Sequence, residues 1–467
     1  MKVTLYHAKI HMVSRINFLK SQMLFALPCK IVSLCEMKIL YIYLRCLKAA
    51  WGIFMKTIKF GIFGLGRGSS FYDNILVNNG DIVAVCDKNE DRLADAKKHL
   101  GKSLATYTNF DEFINHPGLE AVFLCNFFHE HAKYAIRALE KNIHVLSECT
   151  SNCTMAEGVA LIRAAEKSKA IYMLSENYPF MQFNQEMRRV YRGGSLGKVL
   201  FAEGEYNHPL NPYNAAEIKS IRPYRKHWRN YLPRTYYITH SLAPLMYITG
   251  SIPVRVSAMP VFDPYPSDSL LAAGTADRSA IITCLNNDDS VFRVTGCAAY
   301  GAHGNSYRIC GEKGQIENVR GTNGKIMLRY NSWDIPEGKE EINFYMPEWN
   351  DEDKELIEKA GHGGGDFFVI REFLNCIRNS EKPIFDEYFA TTMASVGILS
   401  HRSLLERGVP YDIPDFHSEE DRKKYENDTL SPFYGSDGSE PRLPRCSHSD
   451  YELTDEEIAY LDKLFAE

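Results

Sequence analysis

Three features of the sequence predict an α/β protein in which a doubly wound parallel sheet precedes an α+β domain with a large, open, mostly antiparallel sheet. The first is KTIKFGIFGLGRG, Lys56 to Gly68, where the alternating apolar residues Ile58, Phe60 and Ile62 run into a glycine turn and then a helix over Ser69 to Asn78. The second is DIVAVCD, Asp81 to Asp87, a buried strand ending in a carboxylate about 20 residues after the turn. The third is a change of pattern: short apolar runs alternate with helical periods after Met55, whereas strand follows strand beyond Gly250. Strand, glycine turn, helix and acid together make the fingerprint of a Rossmann unit. Its first Gly makes the tight turn, its second lets backbone approach a pyrophosphate, and the helix N-terminus offers free N–H groups. Here the third position of G-x-G-x-x-G is Ser69, with Gly68 one residue early. Asp87 is placed for ribose hydroxyls and would repel a 2′-phosphate. The expected cofactor is therefore NAD, held by Gly64, Leu65, Gly66, Arg67, Gly68 and Asp87.

At 467 residues, 45% apolar and 12% aromatic, the chain has room for two or three domains with large cores. A net charge of −5 and the lack of a basic stripe with interleaved aromatics argue against nucleic acid as a partner. The twelve cysteines form no C-x-x-C pair and no zinc-type spacing, so no metal is expected and a reducing, cytoplasmic setting fits. Residues 1–54 carry eight Lys or Arg against one acid, Glu36, unlike the acidic remainder. Arg45 and Lys48 interrupt their best apolar run, Ile39 to Phe54, so neither a signal peptide nor a membrane span is read there. An organelle-targeting peptide is one reading. The plainer one is a poorly ordered extension, with translation beginning at Met55.

From Met55 to residue 150 the elements alternate. Helices are expected over Asp91 to Leu100, Asp111 to Asn115 and His131 to Lys141, and strands over Ala121 to Cys125 and Ile143 to Leu146. Ligands of such a sheet lie at the carboxyl ends of its strands, which nominates Asp87, then Asn126, His129 and His131, then Glu148. Past residue 150, a strand over Ile171 to Leu174 leads to Asn177 and Tyr178, a helix over Phe183 to Arg192 and a strand over Leu200 to Tyr206. A loop rich in aromatic and basic residues follows: His208, Tyr224, Arg225, His227, Trp228 and Arg229. Such loops line sugar sites, where rings stack on pyranose faces and polar tips read hydroxyls. It ends in TYYITHSLAP, residues 235–244, where Tyr237 and His240 stand at i and i+3 and share one face if a helix starts nearby. A phenol and an imidazole so paired can pass a proton between a sugar hydroxyl and water, although two capped core aromatics would show the same spacing.

These segments, GIFGLGRG, the CD of the second strand end, AVFLCNFFHEH and HVLSEC, resemble in order and spacing the Gfo/Idh/MocA family of NAD(P)-dependent sugar and polyol oxidoreductases. The resemblance runs from about Lys56 to Phe416. The family's T-P-x-x-x-H segment corresponds to Asn126 to His131, and its E-K-P to Glu148-Cys149-Thr150, where Cys149 replaces the usual catalytic lysine. Among the relatives, the NAD-dependent glycosidases of this fold, such as α-N-acetylgalactosaminidases, also lack that lysine and carry ENxxY, YPTHGLGP and GGHGGMDF. This chain is similar at Glu176-Asn177, with Phe180 in the aromatic place, at Tyr237 to Pro244, and at Gly361 to Phe367. The resemblance implies redox-assisted hydrolysis: oxidation at a ring hydroxyl carbon, elimination, addition of water and reduction. It implies Tyr237 as the base for the oxidised hydroxyl or the C2 proton, and His240 positioning or protonating on the same face. Glu148 would hold the nicotinamide ribose or orient water, and His131 would border the nicotinamide. Asn177 joins the cofactor set, and Tyr178, His208, Tyr224, Arg225, Trp228 and His362 the sugar set. A sugar or cyclitol dehydrogenase and a non-catalytic NAD- or sugar-binding regulator are the alternative readings.

Past Gly250 the strands Val254 to Val261, Ser279 to Leu285, Ser290 to Cys297, Tyr307 to Asn318 and Lys325 to Tyr330 predict the open sheet. An uncovered sheet face calls for a partner, so a homodimer or homotetramer is expected. Asp366 reads as a helix N-cap or as an acceptor for a sugar hydroxyl, and amphipathic helices follow over Phe367 to Arg378 and Thr391 to Glu406. The expected domains are 55–150 for the cofactor, 151–416 for substrate and oligomerisation, and 417–467 as a charged linker and last helix. That helix opens on a capping box, Thr454 and Glu457, and carries the stripe Ile458, Leu461, Leu464 and Phe465.

Overall fold

The computed structural model describes residues 56–435, 438–448 and 450–466; the extension read over residues 1–54 lies outside them. Residues Thr57–Glu467 form one compact unit. Its first sheet holds β1 (Ile58–Phe63), β2 (Gly80–Cys86), β3 (Ala105–Tyr107), β4 (Ala121–Leu124), β5 (His144–Ser147) and β6 (Tyr172–Leu174), in the order β3-β2-β1-β4-β5-β6. Every pairing is parallel. Both faces are covered by helices, which is why β4 can be apolar and buried along its whole length. The strand order reverses between β1 and β4, so a crevice opens at their carboxyl ends.

The boundary expected at residue 150 falls inside this sheet, because its sixth strand comes from Tyr172–Leu174. Between them lies a helix absent from the sequence reading, Met155–Lys167, started by a Thr154/Glu157 capping box.

The second sheet holds β7 (Val199–Asn207), β8 (Pro253–Val261), β9 (Ser279–Asn286), β10 (Val291–Thr295), β11 (Gly304–Gly311), β12 (Gly314–Asn318), β13 (Ile326–Tyr330), β14 (Ile342–Tyr345) and β15 (Tyr411–Asp412). Its order is β14-β13-β12-β11-β7-β10-β9-β8-β15, antiparallel except for β7 with β10. Alternation decides the faces: Ile282, Cys284, Phe292, Val294, Tyr307 and Ile309 point to the core, while Met259, Ile281, Leu285 and Phe344 stay exposed.

The helix Thr239–Thr249 is buried on all sides, its apolar run Leu242 to Ile248 flanked by the buried polar residues Thr239, His240, Ser241 and Thr249, and it lies on β7 where Gly204 has no side chain to hold off the Ser241 carbonyl. Pro244 inside this helix has no N–H for the His240 carbonyl four residues back. The Tyr307 hydroxyl donates to that carbonyl instead, at 2.5 Å. The backbone at His240 is thereby tied to β11.

The segment read as a charged linker is packed. It forms the helix Glu419–Tyr425, with Arg422 paired to Glu166 at 2.5 Å and Arg402 to Asp428 at 2.6 and 2.8 Å. Phe433 is buried against Phe128, His129 and Tyr236. Charge density reads as solvation when the partners are distant in sequence. The last helix, Asp455–Ala466, makes the expected capping-box bonds and buries Leu461 against the turn Leu270–Ala273. Among the described residues no helix is long and apolar enough to cross a membrane.

Candidate active site

The site begins at the glycine turn. Gly64 has φ +92°, and a Cβ there would lie 2.5 Å from the Cys125 carbonyl and 2.6 Å from the Asn126 nitrogen. The helix starts at once, at Leu65, four residues earlier than the spacing suggested. Gly68 therefore fills the role of the missing third glycine: a Cβ on it would meet Ile62 Cγ2 at 2.6 Å, so helix and strand could not close. A Cβ on Gly66 would meet the Arg92 guanidinium at 3.4 Å, an ordinary contact, so that side of the turn stays approachable. Asp87 donates nothing and accepts twice, from Leu65 N–H at 2.7 Å and Asn89 N–H at 2.9 Å, with Arg92 3.6 Å away. The carboxylate assigned to the ribose thus also fixes the turn. The buried Oδ1 atoms of Asn126, beside Gly64, and of Asn177 have no partner in the chain. A cradle that a Cβ would fill, with orphaned acceptors beside it, fits NAD.

Arg67 joins this turn to the second half. Its Nε donates to Glu148 Oε1 at 3.0 Å and its Nη2 to Asp366 Oδ1 at 2.9 Å. Asp366 also accepts from Asn177 Nδ2 at 2.7 Å and from His362 Nδ1 at 3.1 Å. Burial pushes the Asp366 carboxyl up, but the His362 hydrogen bond and Arg67 charge outweigh it and hold it at about 2. Gly364, not Asp366, is the N-cap, and both Asp366 oxygens already accept bonds within the chain.

Tyr237 ends a 3₁₀ turn, Arg234–Tyr237, directly before the helix bearing His240. His240 Nδ1 lies 2.8 Å from Glu176 Oε1, and His240 Nε2 lies 3.0 Å from the Tyr237 hydroxyl. With Nδ1–H donated to the carboxylate, Nε2 accepts from the phenol. Tyr178 stacks on the imidazole with centroids 4.0 Å apart, and Tyr206 meets it edge-on at 4.9 Å. Burial works against a charged Glu176, but the pairing with His240 and the Cys149 hydrogen bond bring its carboxyl below the ordinary range. Cys149 Sγ donates to Glu176 Oε2 at 3.1 Å, and burial followed by the two neighbouring carboxylates pushes the thiol well up. The residue in the lysine's place is therefore a neutral donor, not a base. Burial first, with Arg229 opposing it, pushes the Tyr237 phenol well up.

Of the other sequence candidates, Tyr178, His208 and His362 gather here: His208 meets Tyr206 at 5.8 Å, and His362 meets Tyr178 at 6.0 Å. Trp228 stacks on Phe128, whose ring meets Tyr237 edge-on at 5.9 Å. Four candidates need correction. Arg225 is spent on Asp462 of the last helix, Nε to Oδ1 2.7 Å. Tyr224 is exposed and touches His227 instead of the Tyr237 pair. His131 is buried with its ring nitrogens at the Thr150 and Asn126 carbonyls, 2.9 and 3.3 Å away, and burial lowers it to about 4; it pins two loops. His129 is sandwiched under Phe433, centroids 5.1 Å apart, by the very segment read as a linker. Glu176 was missed as a site residue, although it follows β6 as Glu148 follows β5, and the strand-end rule nominates both.

Family models match two stretches: "Oxidoreductase family, NAD-binding Rossmann fold" over residues 58–176, and "Glycosyl hydrolase 109, C-terminal domain" over residues 280–423. A glycosyl hydrolase family 109 protein of Shewanella sp. strain ANA-3 is 26% identical over 396 residues, covering 78% of this chain and 85% of its own length. An α-N-acetylgalactosaminidase of Shewanella oneidensis is 26% identical over 393 residues with the same coverage. Among solved structures, a levoglucosan dehydrogenase in complex with NADH and L-sorbose matches with TM-score 0.65 at 15% identity, over 77% of this chain and all of its own. A myo-inositol 2-dehydrogenase from Lactobacillus plantarum matches with TM-score 0.58, also at 15% identity and over 77% of this chain and all of its own. The chain thus carries an NAD-binding Rossmann domain of the Gfo/Idh/MocA oxidoreductase type over residues 58–176 and, over residues 280–423, a domain matching the C-terminal domain of the family 109 glycosyl hydrolases.

Proposed function

We propose that this protein hydrolyses a glycoside by the redox-assisted route, with Tyr237, His240 and Glu176 moving the proton of a sugar hydroxyl. One observation carries the reading: a phenol, an imidazole and a buried carboxylate are hydrogen-bonded in line, and the lysine place holds a neutral thiol. Glu176 follows β6 and is bonded to Cys149, which follows β5, and this position at the carboxyl ends of the parallel sheet supports a line that works beside the cofactor. Bound NAD+ supplies a hydride acceptor for the carbon that bears the hydroxyl. The chain supplies the proton path. As the hydroxyl proton moves to the Tyr237 oxygen, the phenol proton moves to His240 Nε2, and Glu176 pairs with the resulting imidazolium. The reverse transfer returns the proton when the sugar alcohol is restored. Neither tyrosine nor histidine needs to exist as a free buried ion, which their burial would penalise.

The exposed Met259, Ile281, Leu285 and Phe344 on one side of the second sheet, with Glu203 bridging Arg293 and Arg308, suit a second copy of this chain, as a homodimer or homotetramer.

A panel of nitrophenyl glycosides with added NAD tests the reading, with absorbance followed for both nitrophenol and NADH. Phenol release without net NADH is the expected result. NADH accumulation would make the protein a dehydrogenase, and silence across the panel a binding protein. Tyr237→Phe is expected to lower turnover by about 10²- to 10⁴-fold while NAD still binds.

A further inference from the structure

Three arginines, Arg222, Arg229 and Arg234, act on Cys297, whose backbone N–H is bonded to the Tyr237 carbonyl, and among the described residues none of them has a carboxylate partner. Arg222 is buried; its Nη1 donates to Asn230 Oδ1 at 3.1 Å, and its Nε has no partner. Arg234 lies against Cys297, Nη1 to Sγ 3.7 Å, and Arg229 lies over the Trp228 ring at 4.5 Å. Among the described residues none of the three makes an ion pair. Their charges bear on one another and on the site. Arg222 is pushed down to about 9, by burial first and then, against Tyr265, by Arg234 and Arg229. Arg229 acts on Tyr237, and both Arg234 and Arg229 act on His208. The cluster is built: Cys297 N–H donates to the Arg234 and Tyr237 carbonyls at 3.1 and 3.2 Å, so Arg234 and the candidate base hang from one strand end.

We propose that Arg222, Arg229 and Arg234 bind an oxyanion on the sugar, a carboxylate, sulfate or phosphate group, so that the substrate is an acidic glycoside. The proposal rests on the glycosidase reading and narrows its substrate class. Arg234 is kept charged by Cys297 and Tyr265 against its burial, but Arg222 is left uncompensated beside it in the free protein, and a bound oxyanion reverses that cost. Guanidinium forks match carboxylate, sulfate and phosphate oxygens in pairs. Lowering the Tyr237 phenol would use Arg229 alone. It gives no reason for a buried Arg222 with a free Nε. A neutral sugar would likewise leave that group unanswered.

Calorimetry on the NAD-loaded protein reads binding apart from turnover. Galactose is titrated beside galacturonate, galactose 6-sulfate and galactose 6-phosphate, and glucose beside its own three counterparts. At least one acidic sugar is expected to bind roughly tenfold or more tightly than its neutral parent, and the tightest arm identifies the oxyanion. Arg229→Gln and Arg234→Gln, both at partly exposed positions, are each expected to remove most of that preference; Arg222→Gln serves as a third variant where it folds. Equal binding of acidic and neutral sugars, no binding of any acidic sugar, or a preference that survives both partly exposed substitutions would overturn the proposal. A failed glycosidase reading shows itself separately, as absent nitrophenol in the chromogenic assay.

Discussion

Two groups of positive charge flank the Tyr237–His240 pair, and they are built on opposite terms. On the cofactor side Arg67 faces two carboxylates, Glu148 at 3.0 Å and Asp366 at 2.9 Å, and Asp366 is further held by Asn177 and His362. On the far side Arg222 faces an amide, Arg229 a ring, and Arg234 a thiol and the Tyr265 hydroxyl, with no carboxylate for any of them among the described residues. The first arrangement is complete within the chain, and so it is structural: it fastens the glycine turn to the helix Gly365–Asn379. The second is incomplete within the chain. A protein that matches one part-buried arginine with two carboxylates and leaves three others without any has the chemistry to do both, which makes the second set the place to look for a ligand's charge.

The largest effect is expected midway between the two groups. Glu176→Gln keeps an acceptor for His240 Nδ1–H but removes the negative charge that the imidazolium requires. Turnover is expected to fall about 10²- to 10⁴-fold, with NAD binding retained when followed by fluorescence titration. Turnover within a factor of three of the parent would mean that the proton does not rest on His240 at all.

Much of this was legible beforehand, for identifiable reasons. The Tyr237–His240 contact is set by local spacing, and local spacing survives folding. The Rossmann half was legible because its strands are buried on both faces, so hydrophobicity alone marks β4. The third-glycine role of Gly68 was not legible from a fixed spacing, because it depends on the helix starting at Leu65. Arg225 looked like a sugar ligand by composition, and its partner Asp462 is 237 residues away, beyond any window of sequence. The same distance hid Phe433, which closes over His129. Glu176 was within reach, since the rule that nominated Glu148 applies equally to the next strand.

The matched side can be broken by Asp366→Asn. The substitution leaves Arg67 one carboxylate, Glu148, instead of two, so the cost should fall below that of stranding a buried charge, at about 2 kcal/mol in urea unfolding. Acid should reveal the same interaction. The folded carboxyl is held at about 2, below the usual 3.8, so its stabilisation is present above roughly pH 4 and is lost as pH falls through about 2. The parent's acid limb should therefore be steeper than the variant's. Identical limbs would show that Asp366 is not ionised against Arg67 and His362.

The unmatched side should answer with the opposite sign. Arg222→Met removes a buried, uncompensated charge and one hydrogen bond to Asn230, and fills similar volume. Stability is expected to rise by up to about 1 kcal/mol, since losing the charge outweighs losing the bond. A loss of more than about 1 kcal/mol would mean that Arg222 is a framework residue whose charge is satisfied after all.

The smallest effect is expected at Arg225, the arginine that composition alone would have placed with the sugar. Its pair with Asp462 joins a mostly shielded guanidinium to a carboxylate that is 54% exposed, so solvent and salt screen most of the attraction. Arg225→Ala is expected to cost no more than about 0.5 kcal/mol, to lose even that difference in high salt, and to leave turnover on a nitrophenyl glycoside at the parent value. The last helix should stay docked, because Leu461, Leu464 and Phe465 bury their side chains against Leu270–Ala273 without help from the ion pair. If turnover fell tenfold or more, the last helix would be positioning the loop that carries Trp228, Arg229 and Arg234. The division between a matched arginine that only holds the fold and unmatched ones that await a ligand would then fail at the residue where it is easiest to test.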